Sequence, residues 1–266
     1  MTTDNPDSLA PIERGFNYPD PALQNYTGNS PFPHVVLKDC WNPIWLASCK
    51  RDMATFQSWD GEKDFFGSRK KRYCGNIEML PASVARIIHE ASSPAFLEWL
   101  IALTGEKALL PDPYLEGGGV HQITTGGFLK VHADFNWNER LQLYRRLNLL
   151  LYLNPNWESH WGGALELWKT DMSAYEATVL PQANTMVIFT TDDRSFHGHP
   201  HPLACPIEIT RDSIALYYYS PIQPSSNFRE RRIGTDYRPI QGDAFQVYDS
   251  SLLGRIKNRL KGLLQR

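Results

Sequence analysis

The stretch RLNLLLYL, residues 146–153, constrains this chain more than any other. Strand side chains alternate between faces with a period of two. Leu147, Leu149, Leu151 and Leu153 therefore share one face, and Arg146, Asn148, Leu150 and Tyr152 share the other. An all-leucine face must be covered, and the opposite face is then left to line a polar interior.

The cover is found upstream. Asn42-Pro43 is an N-cap and first helical position for a helix running towards Trp59. Pro81 opens a second helix, and Ser93-Pro94 a third that stops before Gly105. From about residue 118 the pattern changes to strands. GVHQITT, FLKVHADF, RLNLLLYL, GALELW, NTMVIFTT and RDSIALYYY are short and apolar on at least one face, with Gly, Pro, Asn and Asp between them. The expectation is a mainly β, α+β domain, a barrel or sandwich with N-terminal helices packed on one sheet. Residues 1–33, rich in Pro, Asn, Asp and Ser, are read as a loosely ordered arm. Residues 34–266 are read as a single domain, with helical support over 40–110, a strand core over about 118–221 and a C-terminal extension over 222–266.

The same alternation sorts two further strands. In FLKVHADF it groups Lys130, His132 and Asp134 against Leu129, Val131 and Ala133. In RDSIALYYY it groups Arg211, Ser213, Ala215, Tyr217 and Tyr219. His132-x-Asp134 is cheap on its own, since 8 His and 29 acidic residues in 266 give about one such pair by chance. It gains meaning from FHGHPH, where His197, His199 and His201 follow a strand, and from Arg211 fourteen positions after His197. Two histidines and one carboxylate make a facial triad suited to non-haem Fe(II), with positions left open for other ligands. A buried arginine facing such a site needs an anion, and its planar fork with Ser213 beside it suits a carboxylate.

His132-x-Asp134, LLLYLNPNW, WGGALELW, FHGHP and RDSIALYYY, in this order over roughly residues 118–221, resemble the Fe(II)/2-oxoglutarate-dependent dioxygenases of the prolyl-4-hydroxylase-like branch. The resemblance implies a double-stranded β-helix (jelly roll) core. It implies Fe(II) on His132, Asp134 and His197, with 2-oxoglutarate and O2 as cosubstrates. Arg211 matches the residue that holds the distal carboxylate of 2-oxoglutarate, and Tyr152 a tyrosine that hydrogen-bonds it. Ser213, Asn148 and Gln122 are expected beside the cosubstrate, although many prolyl hydroxylases carry tyrosine where this chain has Gln122. The retained Asp134 points to hydroxylation and away from halogenation, with desaturation open as a further oxidative outcome.

Three functions compete. They are hydroxylation of a small polar molecule or saccharide in a biosynthetic pathway, hydroxylation of a prolyl or other residue in a protein or peptide, and metal binding by a non-enzymatic jelly roll. The third leaves Arg211 and Tyr152 without a purpose. A closed cup lined by Trp137, Trp161 or the basic run SRKKRY (68–73) would favour the first. That run is read as a solvated loop, or as an electrostatic lip for an anionic substrate. His121 and His160 are expected at the surface or behind the site.

The net charge of −2 argues against a nucleic-acid partner. Four cysteines without a CxxC pair, no basic-then-apolar leader and no long apolar run predict a cytoplasmic protein with reduced thiols. SLLGRIKNRLKGLLQR, residues 251–266, reads as a basic amphipathic helix that docks on its own domain, on a partner or on a membrane surface.

Overall fold

The computed structural model describes residues 15–224, 230–241 and 243. Residues 1–14 and the expected helix over 251–266 lie outside the described residues. Strand β1 (His34–Lys38) precedes helix α1 (Pro43–Met53), the hairpin β2 (Gly61–Phe65) and β3 (Ser68–Cys74), then α2 (Ala82–Ala91) and α3 (Pro94–Thr104). Next come β4 (Leu110–Pro111), β5 (Gly119–Ala133), β6 (Trp137–Asn138) and β7 (Leu143–Tyr152). The remaining strands are β8 (Leu165–Trp168), β9 (Tyr175–Val179), β10 (Thr185–Thr190), β11 (His197–His199), β12 (Arg211–Ser220) and β13 (Asp236–Tyr237). No described helix is long and apolar enough to cross a membrane.

The helices start where the sequence places them. The Asn42 side chain accepts from the Ile44 and Trp45 amides, and Ser93 Oγ accepts from the Phe96 amide. Gly105 ends α3 in the left-handed conformation. Helix α1 stops at Met53 rather than near Trp59, and the chain turns into the β2–β3 hairpin.

The antiparallel strands run in the order β1-β10-β7-β12-β5-β11-β8-β9, with β3 added beside β5. Strand β5 belongs to both walls of a sandwich. Its first half pairs with β12 and its second with β11. It bends at Gly126, where φ is +78°, and at Gly127, where a Cβ would lie 2.5 Å from Ile123 Cγ2. The sheet therefore folds over on itself as a nearly closed jelly roll.

Leu147, Leu149, Leu151 and Leu153 are all buried in one core with Val84, Ile87 and Ile88 of α2 and Phe96 and Leu100 of α3. At about 25 cal/mol per Å² of apolar area, this seam is the main fixing of helices to sheet. Inside the sandwich, Tyr152, Val187 and Phe189 of one wall meet Leu165 and Leu167 of the other.

Two expectations change. Of the supposed arm, residues 15–33 are described and hold buried anchors: Phe16, Tyr26 and Phe32. Phe16 packs its ring 4.9–5.0 Å from Trp41, Phe96 and Trp99, which ties this stretch to α3. The basic run 68–73 is strand β3, not a loop. Lys70, at φ +51°, marks a register shift between Arg69 and Lys71, after which Lys71 turns inward.

Candidate active site

His132 near the end of β5 and His197 at the start of β11 are direct cross-strand partners, with ring centroids 4.5 Å apart. Asp134 lies one residue beyond β5. Its Oδ1 is 3.5 Å from His132 Nε2 and its Oδ2 is 3.5 Å from His197 Nε2. One ligand atom from each residue falls within 4.8 Å of the others. Each histidine is oriented through its second nitrogen: His132 Nδ1 donates to Lys130 O at 2.8 Å, and His197 Nδ1 donates to Ser195 O at 2.9 Å. Both Nε2 lone pairs are thereby turned towards the carboxylate, as metal-binding histidines require. Burial, and then His132, push His197 down to about 4, so its ring is neutral near pH 7.

Burial alone would raise the Asp134 pKa, but Arg145, then His132 and His197, hold it well below the usual carboxylate range. Arg145 Nη2 donates to Asp134 Oδ2 at 2.9 Å, and Asn148 Nδ2 donates to the same oxygen at 2.6 Å. Arg145 is wholly buried and stacks over the Tyr217 ring at 3.4 Å.

Strand β12 brings Arg211 to the same cavity. Arg211 Nε donates to Gly163 O at 2.8 Å and Nη2 donates to Tyr152 Oη at 3.4 Å. Among the described residues no carboxylate lies within ion-pair distance of this buried guanidinium. Ser213 stands opposite Tyr152 in the β12–β7 ladder and lines the cavity with Arg211.

Against this geometry, residues 118–219 match the 2OG-Fe(II) oxygenase superfamily. A mouse relative, prolyl 3-hydroxylase OGFOD1, is 33% identical over 81 residues, which cover 29% of this chain and 14% of the relative. HygX of Streptomyces hygroscopicus, with nickel, 2-oxoglutarate and hygromycin B bound, superposes with a TM-score of 0.50. That match is 11% identical and covers 77% of this chain and 93% of HygX. A Pseudomonas putida prolyl-4-hydroxylase gives a TM-score of 0.49 at 17% identity, over 75% of this chain and 98% of the other.

The donor set in this segment fits Fe(II) and 2-oxoglutarate. Two oriented imidazoles and an ionised carboxylate suit Fe(II), and a buried arginine without a counter-ion suits one end of a dicarboxylate such as 2-oxoglutarate.

The structure sorts the remaining expected residues. Gln122 lies opposite Asp212, whose side chain pairs with Lys50 of α1 behind the sheet, while its neighbours His121 and Ile123 line the cavity. Gln122 thus falls on the outer side of the strand, and His121 on the inner one instead of the surface. Asn148 does face the cavity, but its amide is spent on Asp134. Lys130 pairs with Asp243 away from the triad, and Leu129 takes the inward place, because the β5–β11 register slips between His197 and His199. Gly198 permits that slip: a Cβ there would sit 2.9 Å from Leu129 O and Lys130 O. Trp137 packs on Tyr144, and neither it nor Trp161 lines the cavity.

Three further polar residues stand in the wall: sequence reading missed Arg145, and named Lys71 and His199 only within the run 68–73 and the histidine triple. Arg145 faces inward because Arg146 is an extra residue in the β7–β12 ladder, and Arg146 turns out to Glu106. Lys71 lines the cavity from β3, and His199 from β11. Period-two counting cannot find Arg145 without knowing the bulge.

Proposed function

We propose that the protein is an Fe(II)- and 2-oxoglutarate-dependent oxygenase that hydroxylates an unactivated C–H bond of a small polar molecule. The reading is carried by one observation: a single cavity of about 100 Å³ between the two walls is lined by the His132, Asp134 and His197 set, by Arg211, and by polar groups beyond those two sets.

Iron and 2-oxoglutarate, when bound, supply the oxidising chemistry that places oxygen on carbon. The chain's own residues do the holding. His132, Asp134 and His197 are the metal ligands. Arg145 and Asn148 keep the Asp134 carboxylate ionised and aimed. Arg211, with Tyr152 and Ser213, takes the distal carboxylate of the cosubstrate. The surrounding apolar walls, Ile123, Leu129, Leu150 and Leu165, limit water at the reacting carbon.

The name of the mouse relative favours a second reading, oxidation of a prolyl residue in a peptide. HygX, in contrast, is described with the small molecule hygromycin B bound. A succinate-release assay with Fe(II) and 2-oxoglutarate separates the two. It would be run on a panel of small polar molecules and on prolyl peptides, with mass spectrometry for the gain of one oxygen. Turnover of small molecules is expected. Turnover of prolyl peptides alone would replace the proposal with the second reading.

A further inference from the structure

The polar wall that carries Arg211 holds more positive charge than the oxygenase reading uses: Arg211 and Lys71 both stand beside Ile123 of β5, one on either side. Lys71 is 8% exposed and lines the cavity, yet among the described residues its ammonium has no hydrogen bond and no ion pair. Its cross-strand partner is Lys63, a second cavity residue of the same sign. Like charges placed directly opposite destabilise a ladder, and a buried ammonium without a counter-ion is costly. Among the described residues the lining contains one acid, Asp134, and Arg145 already takes it. Beside Lys71, His199 is buried with both ring nitrogens unpartnered among the described residues. The wall is short of one anion and of hydrogen-bond partners.

We propose that Lys71, with Lys63 at the rim, receives an anionic group, a carboxylate or a phosphoryl, carried by the small molecule this site oxidises. The inference rests on the oxygenase reading, because Arg211 is assigned there to the cosubstrate and Lys71 is the cation left over. Lys71 on β3 and Arg211 on β12 are separated by Ile123 of β5, so the two cations can each meet a different anion in one cavity. An ammonium this buried is reached only by a group that enters the cavity, so the anion is a terminal group of a compact molecule. A prolyl ring within a peptide carries no negative charge to meet it.

Thermal melting of the whole protein loaded with Ni(II) and 2-oxoglutarate, a combination without turnover, tests this directly. Inorganic phosphate and acetate are the probes, each against sodium chloride at equal ionic strength. At about tenfold excess over Kd, one of them should raise Tm by roughly 2–4 °C. A response to phosphate alone assigns a phosphoryl group, and a response to acetate alone a carboxylate. A response to both supports a site for either. In Lys71→Met the anion response should vanish while the rise caused by 2-oxoglutarate remains, which also shows that the variant folds. Should Lys71→Met fail to fold, protection of Lys71 by the same anions against an amine-acylating reagent, mapped by peptide mass spectrometry, gives the answer in the unaltered protein. An undiminished response in Lys71→Met, unprotected Lys71, or no anion response where 2-oxoglutarate still stabilises would overturn the inference and leave the oxygenase reading standing. Loss of the 2-oxoglutarate response in the unaltered protein would instead sink that reading and the inference with it.

Discussion

The two sides of the cavity are finished to different degrees. At the metal end, His132, Asp134 and His197 are each oriented by a named partner, and the carboxylate is held by Arg145 and Asn148. On the wall formed by β3, β11 and β12, among the described residues, the Lys71 ammonium has no hydrogen bond or ion pair, the His199 ring has none, and Arg211 meets a carbonyl and a phenol. Buried polar groups are normally satisfied, so a cluster that is not satisfied marks where a ligand completes the structure. On the proposed reading, the first side is preorganised to hold a metal in one geometry, and the second is built around anions that arrive later.

The sharpest way to break this comparison is to exchange the roles of the two histidines on β11. His197→Ala should abolish the visible charge-transfer band that forms when 2-oxoglutarate is added anaerobically to the Fe(II) protein. His199→Ala should keep it, and so should His201→Ala, whose side chain is exposed. Loss of the band in His199→Ala with retention in His197→Ala would move the metal ligand to the unsatisfied wall.

Arg211 is the next test. Removing one member of a desolvated charge pair costs roughly 3–5 kcal/mol, and each 1.4 kcal/mol is about tenfold in affinity. Arg211→Ala should therefore raise the 2-oxoglutarate concentration for half-maximal binding by at least about 100-fold. An unchanged requirement would mean that another cation, Lys71 being the candidate, holds the cosubstrate, and the division of the wall into two anion sites would collapse.

A smaller effect follows from pH. Burial, and then Lys63, push Lys71 down to about 7. The groups facing it are Lys63 on β2, Arg211 on β12, Arg145 on β7, His121 on β5 and His199 on β11, with Asp134 the sole acid among the described residues. Below about 7 the ammonium is charged and the anion response should be full; above it the response should fall by up to about tenfold per pH unit towards the Lys71→Met level. Stability of the ligand-free protein should move the other way. The folded pKa lies below the unfolded one, so between the two the unfolded chain binds more protons, and stability rises with pH across that window. A flat anion response through this range would show that Lys71 is not the charge being read.

These contrasts also explain how much was visible in the chain alone. The four leucines of β7 needed a cover, and α2 and α3 supply it; the caps at Asn42, Ser93 and Gly105 were legible because each satisfies helix ends by local chemistry. His132, Asp134, His197 and Arg211 could be placed because they sit on regular stretches or directly beyond them. What stayed hidden lies next to single-residue slips. An extra residue at Arg146 turns Arg145 inward, one near Lys130 brings Leu129 to the cavity, and one at Lys70 does the same for Lys71. A slip of one residue moves every later side chain to the other face, and only the ladder itself records it. Gln122 and His121 exchanged faces for a related reason, since their orientation is fixed by pairing with Asp212 and Ser213 rather than by their spacing from His132.

The mildest expected change is at Tyr152, and it measures how finished the cosubstrate end is before a ligand enters. Tyr152 Oη lies 3.4 Å from Arg211 Nη2, at the long limit of a hydrogen bond, and its ring packs beside Val187 and Phe189. Burial raises the phenol pKa, and the Arg211 charge offsets this only in part, so the hydroxyl remains protonated and able to donate. In the ligand-free protein it serves mainly as an acceptor for Arg211, a weak contact. On the proposed reading, its stronger use is as a donor to the carboxylate that Arg211 attracts. A hydrogen bond to a charged group contributes about 1.5–3 kcal/mol and a neutral one about 0.5–1.5 kcal/mol, which sets the range for its loss. Tyr152→Phe keeps the ring and its packing, so the free protein should melt within a degree or so of the unaltered one. The 2-oxoglutarate requirement should rise by roughly 5- to 30-fold, well short of the Arg211→Ala effect. A large drop in Tm with no change in that requirement would make Tyr152 a packing residue, and would shift Ser213 into the role of the hydroxyl that works beside Arg211.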